Sequence, residues 1–157
     1  MRTSARLAAL AAVTAVGLGT IATGTAQAAP ASTQAARSTT IHLHNGTGCT
    51  LYRGDYSLAH GIWSQGQEPP QSLGNTGDAT FQSESNGFAT GTEGTVRFTA
   101  YDCEDSWRNG RSVVLHWANP YTGSNSYDEN GTDSTFRWTR QGGGGNNADV
   151  FWSAWKN

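Results

Sequence analysis

Hydrophobic positions in this chain recur with a period of two. Ile41 and Leu43 alternate with Thr40, His42 and His44, and Ala79 and Phe81 with Thr80 and Gln82. Val96, Phe98 and Ala100 alternate with Thr95, Arg97, Thr99 and Tyr101; Val113, Leu115 and Trp117 alternate with Ser112, Val114 and His116. Phe136 and Trp138 follow the same rule with Thr135, Arg137 and Thr139, as do Val150, Trp152 and Ala154 with Phe151, Ser153 and Trp155. Successive side chains of a strand leave on opposite faces, so each segment predicts a half-buried strand. Gly, Asn, Asp, Ser and Thr punctuate these segments at about the 8 to 12 residue spacing of sandwiches and barrels. The pattern predicts an all-β fold, a single antiparallel β-sandwich over residues 39–157. No window after the first 28 residues carries a helical stripe. Gly142 to Gly145, followed by Asn146 and Asn147, predicts a flexible hairpin loop. It is not a P-loop, which would continue with Gly-Lys-Ser/Thr.

The N-terminus breaks the pattern. Arg2 and Arg6 precede a small, mostly apolar stretch from Leu7 to Ala22, and Ala26-Gln27-Ala28 fits a small-residue cleavage site. This predicts an export signal over 1–28, cleavage before Ala29, a secreted product, and a flexible linker over 29–38. A membrane anchor fits less well, because the apolar stretch is short and interrupted by Gly and Thr.

Charge and composition narrow the function. The whole chain carries a formal charge of -2, which becomes -4 once the two arginines of the predicted signal are set aside. The remaining cations are scattered, so no clustered phosphate-binding surface for nucleic acid is expected. Six Trp, five Tyr and five Phe exclude the composition of a disordered chain. Cys49 and Cys103 are the only cysteines; in an exported protein they predict one disulfide rather than a reactive thiol or half of a metal site.

Several constellations invite chemistry and point weakly. His42 and His44 leave one strand on one face, where a third ligand would complete a metal site; a polar strand face is the plainer reading. Asp102, Glu104 and Asp105 form one acidic cluster, and Asp128, Glu129 and Asp133 with Asn130 another, without EF-hand spacing. No G-x-S-x-G elbow and no H-E-x-x-H helix occurs. The sequence predicts neither an enzyme nor a cofactor or metal. Asn45-Gly46-Thr47 and Asn130-Gly131-Thr132 match the glycosylation sequon and predict surface turns. Among the aromatics, Phe81, Phe98, Trp117, Phe136, Trp138 and Trp152 fall in strand patterns and are expected in the core. Trp63, Phe88, Trp107, Tyr121 and Tyr127 sit beside turn residues, where exposed rings suit membrane interfaces or sugar faces. With few cations available, a membrane-binding surface would have to recognise a neutral or zwitterionic headgroup.

The order of motifs adds a resemblance. I-H-L-H-N at 41–45 is followed by H-G-I-W at 60–63, E-P-P at 68–70, S-E-S-N-G-F at 83–88, G-T-E-G-T-V at 91–96 and H-W-A-N-P-Y-T-G-S-N-S-Y at 116–127. This series resembles the aegerolysin family, especially its secreted bacterial branch related to a parasporal crystal protein. The resemblance covers about residues 40 to 127, and the C-terminal strands only loosely. It implies an actinoporin-like sandwich that binds membrane lipids, often sphingolipids in sterol-rich membranes. In some members a larger perforin-like protein joins it to lyse cells. It also implies no catalysis and no cofactor. On the matching positions, Trp63, His116, Trp117, Pro120 and Tyr121 would belong to the lipid site. Thr90 stands where the family has a headgroup-binding Glu, leaving Glu93 as the nearby acid. Asn125 would join the lipid site near a position where a family Lys can meet the lipid phosphate, with Asn in place of Lys weakening that contact. A lectin-like module binding sugar through its rings is the alternative, and a small secreted hydrolase a weaker one.

Overall fold

A computed structural model describes residues 35–157. The predicted export signal and the first part of the linker lie outside the described residues. The linker's predicted end runs one residue too far, since Ser38 already belongs to the first strand.

Among the described residues ten strands follow in order: β1 (Ser38–Gly46), β2 (Thr50–His60), β3 (Ile62–Trp63), β4 (Ser72–Leu73), β5 (Asp78–Glu84), β6 (Thr92–Tyr101), β7 (Ser112–Asn119), β8 (Ser126–Asp128), β9 (Phe136–Gly142) and β10 (Asn147–Lys156). One 3-10 turn, Ser106–Arg108, interrupts them. They form two five-stranded sheets, ordered β3-β5-β1-β10-β9 and β4-β2-β6-β7-β8. Every segment predicted from alternation forms a strand, and the expected inward residues are mostly buried; Val114, expected on the outer face, is buried as well. Ile41, Phe81, Val96, Phe98, Val113, Leu115, Trp117, Val150 and Trp152 are all fully buried between the sheets. Of the predicted core rings only Trp138 stays half-buried, packed on the edge of that core.

The sandwich departs from the fully antiparallel expectation at its centre. β1 and β10 run parallel, from Ser38↔Asn147 to Gly46↔Trp155. Alternation tells which side of a strand is buried; it carries no information about the direction of its neighbour. The Gly142–Gly145 hairpin forms as expected, joining antiparallel β9 and β10.

Cys49 and Cys103 are joined by a disulfide at one end of the sandwich, where Thr50 also pairs with Tyr101. One surface-turn expectation fails here. Asn45 is fully buried, and its Nδ2 donates to the carbonyls of Cys49, Leu73 and Gly74, each at 2.9 Å. A buried amide saturated in this way holds a crossover rather than offering a surface turn. The acidic clusters are spent on protein partners: Asp105 on Arg108, Glu104 on Lys156, Asp128 on His116 and Asp133 on Arg111. His42 and His44 likewise face Asp149 and Asp78. Among the described residues, no group of three or more His, Cys, Asp or Glu could hold a metal ion.

Candidate functional site

The opposite end of the sandwich gathers four loops. Ser38 pairs with both Glu84 and Asn147, which brings the end of β5 and the start of β10 together. Thr92 pairs with Asn119, and His60 with Glu93, which brings in the ends of β2 and β7 and the start of β6. Asn119 fastens the two sheets here. It is fully buried, and its Nδ2 donates to the carbonyls of Ser38 and Asn146, both at 2.9 Å.

Between these loops lies an open groove of about 600 Å³, lined by His60, Thr90, Glu93, Pro120 and Tyr121 among others. Glycines in the G-T-E-G-T motif let its walls approach. A Cβ at Gly91 would stand 2.5 Å from the Asn119 carbonyl oxygen and 2.8 Å from Pro120 Cα. A Cβ at Gly94 would stand 2.5 Å from both Leu58 Cδ2 and Trp117 Cζ2. The first glycine seats the β5–β6 loop against the β7–β8 loop, and the second lets β6 cross the Trp117 ring.

Two rings stand at the rim. Phe88 is 97% exposed on the β5–β6 loop, next to Ala89 in the left-handed region at φ 54. Tyr121 is 41% exposed on the β7–β8 loop. A non-glycine residue in this region is uncommon. The loop is tied by the Ser85 N–H donating to the Arg37 carbonyl at 2.8 Å and by Thr90 Oγ1 donating to Gly87 O at 3.0 Å.

The acid of the groove is Glu93. Its Oε1 lies 3.1 Å from His116 Nε2, and its Oε2 lies 3.9 Å from His60 Nε2. The other nitrogen of His116, Nδ1, lies 2.8 Å from Asp128 Oδ2. Ionised carboxylates only accept, so satisfying both contacts requires a hydrogen on each ring nitrogen, the imidazolium form. Burial opposes that charge, but the hydrogen bonds and charges of Asp128 and Glu93 outweigh it, raising the His116 pKa above the ordinary histidine value. Burial also pushes the Asp128 carboxyl up, yet the Asn130 N–H and His116 carry it below the usual carboxylate range.

The predicted site residues therefore separate. Thr90, Glu93, Pro120 and Tyr121 meet in the groove. His116 lies behind it, holding Glu93. Trp117 is corrected from lipid-facing to interior. It is fully buried, its Nε1 donates to Ser83 Oγ at 2.8 Å, and its ring centroid lies 5.8 Å from Trp63 and 6.1 Å from Phe81. Trp63 is no free loop ring either. As part of β3 it pairs with Ser83, and it is half-buried against Tyr56, Phe81 and Trp117. Tyr127, expected in a turn, sits in β8 and packs against Trp152 at 5.5 Å. Asn125 belongs to a neighbouring groove, where its Nδ2 donates to the carbonyls of Gly143 and Gly145. His60 joins the site without a predicted role there. Its only signal in the sequence is the H-G-I-W corner, which gives no hint of facing Glu93.

No protein-family model matches the sequence, and no curated protein matches it either. Similarity appears at the level of structure. The chain is similar to a lipid-binding protein called Nakanori, with a TM-score of 0.62 over 75% of this chain and 70% of that one, at 13% identity. It is also similar to RahU protein, solved in complex with a TRIS molecule, with a TM-score of 0.60 over 78% of this chain and 96% of that one, at 12% identity. Likeness at such low identity establishes the shared sandwich and nothing finer.

Proposed function

We propose that this chain is a secreted lipid-binding protein of the aegerolysin type that docks the loop end of its sandwich onto a membrane. The observation that carries this reading is the groove with Phe88 and Tyr121 at its rim. Phe88 has almost no contact with its own protein, and an exposed ring beside a concave polar site is the arrangement of an interfacial anchor. Burying one such side chain contributes about 1.5–3 kcal/mol, enough to matter for a small peripheral protein. Glu93 offers the groove's single carboxylate and Tyr121 a ring face, a pair suited to the cationic end of a zwitterionic headgroup. Sphingolipid in a sterol-containing bilayer is the proposed target. The shared sandwich with Nakanori, itself a lipid-binding protein, supports the same direction.

Lysis would need more than docking. Among the described residues no helix is long and apolar enough to cross a membrane, which leaves β-barrel insertion open. We place this chain as the recognition component of a haemolytic, pore-forming system whose companion is a perforin-like protein. The test is sedimentation and dye release with vesicles of phosphatidylcholine alone, with sterol, and with sphingolipid plus sterol. Binding without leakage to the last vesicle, with leakage only after a perforin-like protein is added, is the expected result. Absence of binding to all three overturns the lipid reading, and binding to lipid-free glycans instead would select a lectin.

A further inference from the structure

Beside the groove already described lies a second one of about 660 Å³, and its chemistry is different. Arg37 and Arg140 line it, together with Tyr127, Asn125 and the Gly142–Gly145 hairpin, and no carboxylate does. In a chain with more acids than bases, a groove lined by two guanidinium groups and no acid is a local reversal of charge.

Both arginines are held in place with capacity to spare. Arg37 donates through Nη2 to the Tyr121 carbonyl and lies over that ring at 5.5 Å, while its Nε is buried with no hydrogen-bond partner among the described residues. No carboxylate among the described residues comes within salt-bridge distance of it, whereas Arg108, Arg111 and Lys156 each have one. Arg140 lies over the Tyr127 ring at 5.0 Å and meets Glu129 at 3.9 Å, beyond hydrogen-bond reach. The same oxygen accepts from Trp152 Nε1 at 2.6 Å, so Arg140 shares this acid with the indole, and of the two arginines only Arg37 has no acidic partner among the described residues.

The hairpin contributes backbone. Gly142, Gly143 and Gly145 all have positive φ, and Gly143 and Gly145 turn their carbonyls to the Asn125 amide. The N–H groups of Gly144 and Gly145 donate to no backbone carbonyl among the described residues. Successive backbone N–H groups in turn conformations can form concave anion sites, and guanidinium forks match the oxygens of phosphate and sulfate. This hairpin lacks the Lys-Ser/Thr of a P-loop, and its cations come from β9 and from the residue before β1.

We infer that the groove between Arg37, Arg140 and the Gly142–Gly145 hairpin is a binding site for a terminal oxyanion of the phosphate-monoester type. Two guanidinium groups with no competing acid in the groove favour a dianion over a singly charged diester. Such a group comes from free phosphate or from a phosphomonoester lipid headgroup. The inference does not depend on how the neighbouring groove is used.

The experiment follows amide and arginine Nε resonances by NMR while inorganic phosphate replaces chloride at constant ionic strength. Saturable shifts at Gly142–Gly145, Arg37 and Arg140 are expected at millimolar phosphate. Arg37→Gln and Arg140→Gln should each weaken binding about tenfold, the usual loss for one charge-assisted pair. Arg137→Gln, on the same strand outside the groove, should leave it unchanged, and the thermal midpoint of each variant reports on folding. Vesicles of phosphatidylcholine with and without phosphatidic acid then separate the sources. Recruitment by phosphatidic acid that free phosphate competes away assigns the lipid, while phosphate binding without such recruitment assigns the soluble ion. Shifts that never saturate, or that persist equally in both groove variants, overturn the site.

Discussion

Replacing Trp117 by alanine tests its place inside the sandwich against the lipid-facing role implied by the family resemblance. The ring is fully buried and packs on Trp63 and Phe81, and its indole N–H donates to Ser83 Oγ. Truncating a buried Trp removes transfer free energy and leaves a cavity, together about 3–5 kcal/mol. Ser83 loses a donor but keeps the Thr92 hydroxyl at 2.7 Å, so the unsatisfied-group penalty stays small. For a domain of this size the loss corresponds to a drop of roughly 10–20 °C in melting temperature. Thermal and urea unfolding followed by circular dichroism measure it. Vesicle sedimentation well below the lowered midpoint provides the second readout, and binding should survive there. The buried assignment is refuted if Trp117→Ala melts within about 2 °C of the parent, a shift well under 1 kcal/mol, while losing vesicle binding.

Three further outcomes follow from other parts of the molecule. Phe88→Ala should leave the melting temperature unchanged, as expected for a surface site, yet weaken vesicle partitioning by about tenfold or more, the value of one buried ring; unchanged partitioning would remove Phe88 from the interface. Reducing the Cys49–Cys103 disulfide, which closes a sequence separation of 54, should cost about 4 kcal/mol in the chain-entropy model and lower the urea midpoint; a midpoint insensitive to reductant would contradict it. His116 should impose a pH dependence. Its raised pKa means its stabilising contribution is complete below about 6.5 and declines as pH rises through the folded-state value. Asp128, with a lowered pKa, adds a contribution lost only as pH falls through its own folded-state value. Melting temperature should therefore fall more steeply toward alkaline pH for the parent than for His116→Gln, and parallel curves would count against the imidazolium bridge.

Strands with clean alternation were legible in the sequence because burial on one face selects apolar residues at every second position. β6 is the plainest case, with Val96, Phe98 and Ala100 buried and Thr95, Arg97 and Thr99 only partly so. β2 escaped for the opposite reason. Its eleven residues bury only Leu51, so no apolar rhythm marks it. The short strands β3, β4 and β8 hold too few residues to show a period. This explains why Trp63 and Tyr127 looked like loop rings. Each belongs to a short strand whose pairing carries it toward the core. The groove was legible in part, through the glycine motif and the Pro-Tyr turn. The arginines of the neighbouring groove were not, because Arg37 and Arg140 lie about a hundred positions apart and only the β1–β10–β9 pairing brings the start of β1 near β9.

That pairing also governs the order of events during synthesis. The middle of one sheet joins residues 38–46 to residues 147–155, so the first strand waits with one edge open until the last has left the ribosome. Such distant closure is slow and cannot be completed by a partial polypeptide. Removing β10 would take an interior strand out of a layer and leave β1 and β9 without the neighbour they share.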